Sequence, residues 1–122
     1  MKILVIDDDE MVRDSLATVL RDRGYDVFTA PDGYRAMAVF ASARPDMVLT
    51  DILMPEQEGI ETIRRIRLEN PEIKIIAMSG GGRIIGVDVL DLAKKLGADD
   101  VLAKPFDPEH LLRRISALAP EA

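Results

Sequence analysis

Five positions in this chain carry side chains able to handle a phosphoryl group and a divalent cation together. Asp7 and Asp8 follow the run Ile3-Leu4-Val5-Ile6, Asp51 follows Val48-Leu49-Thr50, Ser79 follows Ile75-Ile76-Ala77-Met78, and Lys104 follows Val101-Leu102-Ala103. Three carboxylates supply hard oxygen ligands, which suit Mg2+ and give soft metals nothing to bind. A hydroxyl and an ammonium supply a donor and a positive charge for phosphate oxygens. Asp51 at the end of a buried run needs a charged partner, because an unpaired buried carboxylate costs several kcal/mol, and Lys104 can be that partner.

What brings them together is the kind of element each one terminates. Short continuous apolar runs bounded by turn signals read as strands buried on both faces of a parallel sheet. The pattern gives strands at 2–6, 25–30, 47–50, 73–78 and 99–103. Between them lie helices over about 10–23 (capped by Asp9, with Val12, Leu16, Val19 and Leu20 on one stripe), 34–43 (burying Ala36, Met37 and Phe40) and 59–69 (Ile60, Ile63, Ile66). A fourth helix buries Val89, Leu92, Ala93 and Leu96 and stops at Gly97. A fifth starts near Pro108 and turns Leu111, Leu112, Ile115 and Leu118 inward. Gly24 ends the first helix as a left-handed residue. Gly80-Gly81-Gly82 opens a loop reaching to about residue 88.

Five βα units with right-handed crossovers predict a doubly wound three-layer α/β sandwich, with five parallel strands in the flavodoxin-like order 2-1-3-4-5. The strand order reverses between the first and third strands, which carry Asp7, Asp8 and Asp51. Ligands of open parallel sheets bind at that reversal, beyond the strand C-termini.

Composition narrows the function classes. The 122 residues, 48% of them hydrophobic, fit one ordinary domain. The expectation is a single domain over 1–122 with no output domain. Sixteen Lys and Arg against 22 Asp and Glu give a net charge of −6, which argues against direct nucleic acid binding. Without cysteine there is neither disulfide nor thiolate chemistry. No stretch reaches membrane-spanning length, and Ile3 to Ile6 is too short for a signal peptide and runs into acid. The expectation is a cytoplasmic protein with no membrane partner. Gly80-Gly81-Gly82 with Gly86 matches neither the dinucleotide fingerprint nor a P-loop, and 4% aromatic content leaves few rings for a flavin. His110 reads as an exposed residue of the last helix, and Lys94, Lys95, Arg113 and Arg114 as a solvated face.

Along essentially its whole length the sequence resembles the receiver domain of two-component response regulators. The resemblance is carried by Ile3-Leu4-Val5-Ile6-Asp7-Asp8-Asp9, by Asp51-Ile52-Leu53-Met54-Pro55 with Gly59 and Glu61, by Met78-Ser79-Gly80, and by Gly97-Ala98-Asp99-Asp100 leading into Lys104-Pro105-Phe106. It implies a phosphorylatable switch in a two-component or phosphorelay system, with Asp51 as phosphoacceptor and Ser79 and Lys104 on the phosphate. It also implies Mg2+ held by Asp8 directly, Asp7 through water, Asp51, and the backbone carbonyl of Leu53. The phosphoryl group would come from a sensor histidine kinase or a histidine phosphotransfer protein, and the altered surface would act on an output domain or target protein. Such a domain is no enzyme beyond catalysing its own phosphorylation and dephosphorylation. The family also implies a cis Lys104-Pro105 peptide.

Two positions depart from the family pattern. Val101 stands where many receivers have an aromatic that swings inward, so the switch is expected to act through residues 80–88 instead. Leu53 is apolar where polar residues also occur. Asp100 and Arg114 partly match the charge pairs of receivers that dimerise on phosphorylation, an incomplete match. The competing readings are an aspartyl-nucleophile phosphatase or phosphotransferase, and a receiver-like binding module that is never phosphorylated. Leu53 disfavours the enzyme, since haloacid-dehalogenase-type enzymes place a second Asp there. The intact acidic set disfavours the binding module.

Overall fold

The computed structural model describes residues 1–52, 58–79, 83–84, 87–88, 91, 94–95 and 97–119. The elements are β1 (Lys2–Ile6), α1 (Glu10–Asp22), β2 (Asp26–Ala30), α2 (Gly33–Ala43), β3 (Met47–Asp51), α3 (Glu58–Glu69), β4 (Lys74–Ser79), β5 (Arg83–Ile84), β6 (Val87–Asp88), β7 (Asp100–Ala103) and α4 (Pro108–Leu118). Five strands form one parallel sheet in the order β2-β1-β3-β4-β7, the predicted doubly wound order.

Alternation along each buried strand divides the core into two layers. Leu4, Ile6, Val48, Ile75 and Ala77 face one side and meet Ala36 of α2 with Ile63 and Ile66 of α3. Ile3, Val5, Met47, Leu49, Ile76, Met78 and Leu102 face the other, against Leu16, Ala17 and Leu20 of α1 and Leu111, Leu112 and Ile115 of α4. The continuous apolar runs therefore serve both faces of one sheet. Met37 and Phe40 are half-buried against the first layer, and Leu118 against the second.

Local signals set the helix ends. Asp9 caps α1 by accepting from the N–H groups of Met11 (2.9 Å) and Val12 (3.3 Å). Asp32 caps α2 through Arg35 N–H, and Asp107 caps α4 through Glu109 N–H. Gly24 and Gly97 take φ of +90° and +120°, the left-handed conformation expected after a helix.

Three observations bear on the sequence boundaries. Asp51 and Ser79 are the last residues of β3 and β4 rather than the first residues beyond them, because the ladder continues: Asp51 pairs with Met78, and Ser79 with Ala103. Within the expected loop, Arg83–Ile84 and Val87–Asp88 pair as a short antiparallel sheet, in keeping with β-branched Ile84 and Val87 flanking a two-residue connection that contains a glycine. Of the expected fourth helix, residues 91, 94 and 95 are helical; its inward positions Val89, Leu92, Ala93 and Leu96 lie outside the described residues, as do Gly80-Gly81-Gly82. The described residues thus give four full helices where the pattern predicts five.

Gly59, in the first turn of α3, lies directly against the end of β3. A Cβ there would stand 2.5 Å from Ile52 Cα and closer still to the Asp51 carbonyl oxygen, both backbone atoms with no room to yield. Gly59→Ala should therefore destabilise the fold by about 1–3 kcal/mol through overpacking. Urea unfolding measures this, and an unchanged midpoint would mean that α3 does not approach β3 so closely.

Candidate functional site

The reversal of strand order places the end of β1 beside the end of β3, and β4 and β7 follow on the far side of β3. Backbone hydrogen bonds extend the ladder past the strands and hold the site residues: Asp7 N–H donates to Ala30 (3.2 Å), Ile52 N–H to Met78 (3.0 Å) and Lys104 N–H to Ser79 (2.6 Å). Thr50, fully buried, donates its hydroxyl to the Asp51 carbonyl (3.1 Å). The Lys104-Pro105 peptide is cis, as the resemblance implies.

Asp7, Asp8 and Asp51 each offer a carboxylate oxygen within 4.8 Å of the others, Asp7 and Asp51 buried and Asp8 exposed. Lys104 lies between the two buried ones. Its Nζ donates to Asp7 Oδ2 at 2.8 Å and to Asp51 Oδ2 at 3.0 Å. Burial acts most strongly on the ammonium and by itself would lower its pKa; the hydrogen bonds to Asp7 and Asp51, with their charges, outweigh it and raise the pKa above the ordinary lysine value. The lysine is thus a fixed cation at neutral pH.

The other oxygens of Asp7 are also engaged. Oδ1 accepts from Asp9 N–H at 2.9 Å, and the main-chain carbonyl accepts from Arg13 Nη1 at 2.8 Å. Ser79 is fully buried, and its Oγ is the one buried side-chain polar atom among the described residues without a hydrogen-bond partner. An orphaned hydroxyl costs about 1–3 kcal/mol, a cost that a ligand oxygen at this sheet edge would remove. The donor set is all oxygen around one short-range cluster, which fits a hard dication. Leu53, the implied carbonyl ligand, lies outside the described residues, as do Met54 and Pro55.

Beyond the crevice, an apolar groove of about 630 Å³ runs between α1 and the segment after β7. Met11, Ser15 and Val19 line one side, and Lys104, Pro105 and Phe106 the other. Met11 is 81% exposed. Val101 is half-buried and packs on the α2–α3 layer of the core. His110 is exposed. Lys94, Lys95, Arg113 and Arg114 are all exposed, and Arg114 makes two hydrogen bonds to the Asp100 carboxylate, one of them 2.6 Å from Nη2 to Oδ1.

Two arginines of structural weight escape a reading by motif. Arg13 sits one turn into α1, where a cation opposes the helix macrodipole; that mismatch is the signal it leaves in the sequence. Arg67, in the last turn of α3, donates to the carbonyls of Pro71 (2.9 Å), Ile73 (2.6 Å) and Gly97 (2.6 Å) and to Asp99 Oδ2 (3.0 Å). Asp99 Oδ2 also accepts Ile75 N–H at 2.8 Å. Nothing in the periodicity of α3 marks Arg67 out, because three of its four partners are backbone carbonyls.

Comparison with known proteins agrees with this geometry. The family model for the response regulator receiver domain matches residues 3–116. Response regulator MprA of Mycobacterium avium is 40% identical over 97% of the chain, and MprA of Mycolicibacterium vanbaalenii matches to the same degree. The chain spans about half the length of these relatives, 50% in each case. Among solved structures, a response regulator receiver domain protein from Clostridium thermocellum superposes with a TM-score of 0.87 at 31% identity, covering 96% of this chain and 92% of that one. The chemotaxis protein CheY4 of Vibrio cholerae gives 0.86 at 31% identity, covering 96% and 97%. With its parallel sheet reversing at the acidic crevice, and with this match over nearly its whole length, the chain belongs to the response regulator receiver domain family.

Proposed function

We propose that this domain is a phosphoacceptor switch of two-component signalling in which Asp51 takes a phosphoryl group from a phosphohistidine. The observation that carries this reading is the contact of Lys104 with both Asp51 and Asp7, beside the orphaned hydroxyl of Ser79. Asp51 attacks phosphorus through a carboxylate oxygen as the phosphorus–nitrogen bond to the donor imidazole breaks. The imidazole nitrogen keeps the electron pair and takes up a proton, and the product is an acyl phosphate. Lys104 then faces phosphate oxygens in place of a carboxylate alone, and the Ser79 hydroxyl donates to one of them. The protein contributes position and charge rather than covalent chemistry of its own.

Asp7, Asp8 and Asp51 would hold Mg2+, with Asp8 as a direct ligand, Asp7 through water, and the Leu53 carbonyl completing the protein set. Bound there, Mg2+ supplies neutralisation of charge on the phosphoryl oxygens. Asp7 is the less available carboxylate, since its two oxygens already accept from Asp9 N–H and Lys104.

The donor is a sensor histidine kinase or a histidine phosphotransfer protein. Its phosphohistidine must come within bonding distance of Asp51, so it covers the rim of the crevice, where the groove along α1 offers apolar contact beginning at Lys104. Added charge at Asp51 redraws the hydrogen bonding of Ser79 and Lys104 and alters the surface read by an output domain or target protein in the cytoplasm. No helix of the described residues is long and apolar enough to cross a membrane. The domain catalyses its own phosphorylation and dephosphorylation and nothing further.

Acetyl phosphate with Mg2+ should add one phosphoryl group, seen by intact mass, and Asp51→Asn should abolish it because the amide cannot form the acyl phosphate. Labelling that persists in the Asn protein would remove Asp51 as acceptor. In calorimetric titration Asp8→Ala should weaken Mg2+ binding more than Asp7→Ala; equal losses would count against the division between direct and water-mediated ligand. Without metal, Lys104→Met should cost about 1–3 kcal/mol at neutral pH, since it leaves two buried carboxylates without their cation. The raised pKa makes that contribution complete below the unfolded lysine value and lost as pH climbs through the folded one. The gap between the two proteins should therefore hold through neutral pH and close only above 10.5. A gap that closes near neutrality would show that the ion pair is not its source.

A further inference from the structure

We propose that Arg13 is a positioning residue for the acidic trio, holding the peptide between Asp7 and Asp8 so that both carboxylates stay in register with Asp51. This rests on the reading of the trio as a metal site. Arg13 follows the acidic start of α1, and its own N–H is already spent in the helix on the Asp9 carbonyl (2.9 Å). Helical side chains lean back toward the N-terminus, and the guanidinium takes that course to reach the Asp7 carbonyl, six residues earlier, at 2.8 Å. Arg13 is half-buried, and this is the one hydrogen bond its side chain makes among the described residues.

The rest of Asp7 is held by other groups. Ala30 holds the N–H, Asp9 N–H holds Oδ1, and Lys104 holds Oδ2. The carbonyl belongs to the peptide that leads into Asp8, the exposed member of the trio, whose side chain makes no hydrogen bond among the described residues. Asp8 therefore owes its placement to the backbone on either side: Asp9, fixed as the cap of α1, and the Asp7 carbonyl, fixed by Arg13. A cation at the start of a helix opposes the macrodipole. Its contact with the turn that bears the carboxylates supplies the compensating role.

Charge and position act with opposite signs, which makes the assignment testable. If Arg13 mattered only as a positive charge near the trio, removing it would tighten Mg2+ binding. If it holds the turn, removing it weakens binding. Calorimetric titration of Mg2+ into the wild-type chain, Arg13→Met and Arg13→Lys should give about tenfold weaker binding for Met, the size of effect seen when a partner orienting a metal ligand is lost. Lys, which keeps the charge and loses the planar fork, should fall between. In phosphorylation by acetyl phosphate, the Mg2+ concentration giving half the maximal rate should rise by about the same factor for the Met protein. Binding by Arg13→Met that equals or exceeds wild type would overturn the proposal while leaving the metal site standing. A wild-type chain that binds no Mg2+ would sink both. If the Met protein fails to melt cooperatively without metal, Arg13→Lys decides: weaker binding supports the role, and equal or tighter binding refutes it.

Discussion

Two ionised carboxylates buried at the ends of adjacent strands repel each other strongly, and the Lys104 ammonium between Asp7 and Asp51 makes their coexistence tolerable. Most of the architecture can be understood as what it takes to put that one cation there. Lys104 directly follows β7, two strands away from β3 and three from β1, so no local sequence arrangement could supply it. Only a parallel sheet, in which every strand ends at the same edge, brings residues 7, 51 and 104 into one crevice. The order of strands matters as much as their direction, because the reversal at β1 opens the gap into which the side chains converge.

Around this ion pair the backbone is held by a series of hydrogen bonds that reach one residue past the regular ladder. The N–H groups of Asp7, Ile52 and Lys104 each bond to the neighbouring strand, so the three site-bearing turns leave the sheet from fixed points. Gly59 lets α3 press against the Asp51–Ile52 backbone, and Thr50 holds the Asp51 carbonyl from within. Ser79 is the exception to this saturation. Its hydroxyl is buried and without a hydrogen-bond partner among the described residues, a departure from the usual satisfaction of buried polar groups that calls for an explanation.

The chain is unusually readable because function here sits at strand ends, and strand ends are what apolar runs mark. The runs before Asp7, Asp51, Ser79 and Lys104 identify both the element and the position of the functional residue within it, and the order of the sheet follows from the βα alternation. The boundaries slipped by a residue at Asp51 and Ser79 because both are polar, while the ladder is indifferent to side-chain polarity and continues through them. The pairing of Arg83–Ile84 with Val87–Asp88 was hidden by the glycines around it, which read as loop. Arg13 and Arg67 were illegible for a different reason. Arg13 acts through a backbone carbonyl and Arg67 mostly through them, and a carbonyl is the same at every position, so periodicity and motif carry no trace of those partners.

Arg67 and Asp99 lie at the opposite end of the sheet from the crevice, and their bonds join the end of α3, the start of β4 and the turn entering β7. A plank bolted at its foot can lean but cannot be drawn along its length. β7 is bolted at both ends: residues 97–99 are tied to α3 and β4 through Arg67 and Asp99, and Lys104 N–H is held on Ser79.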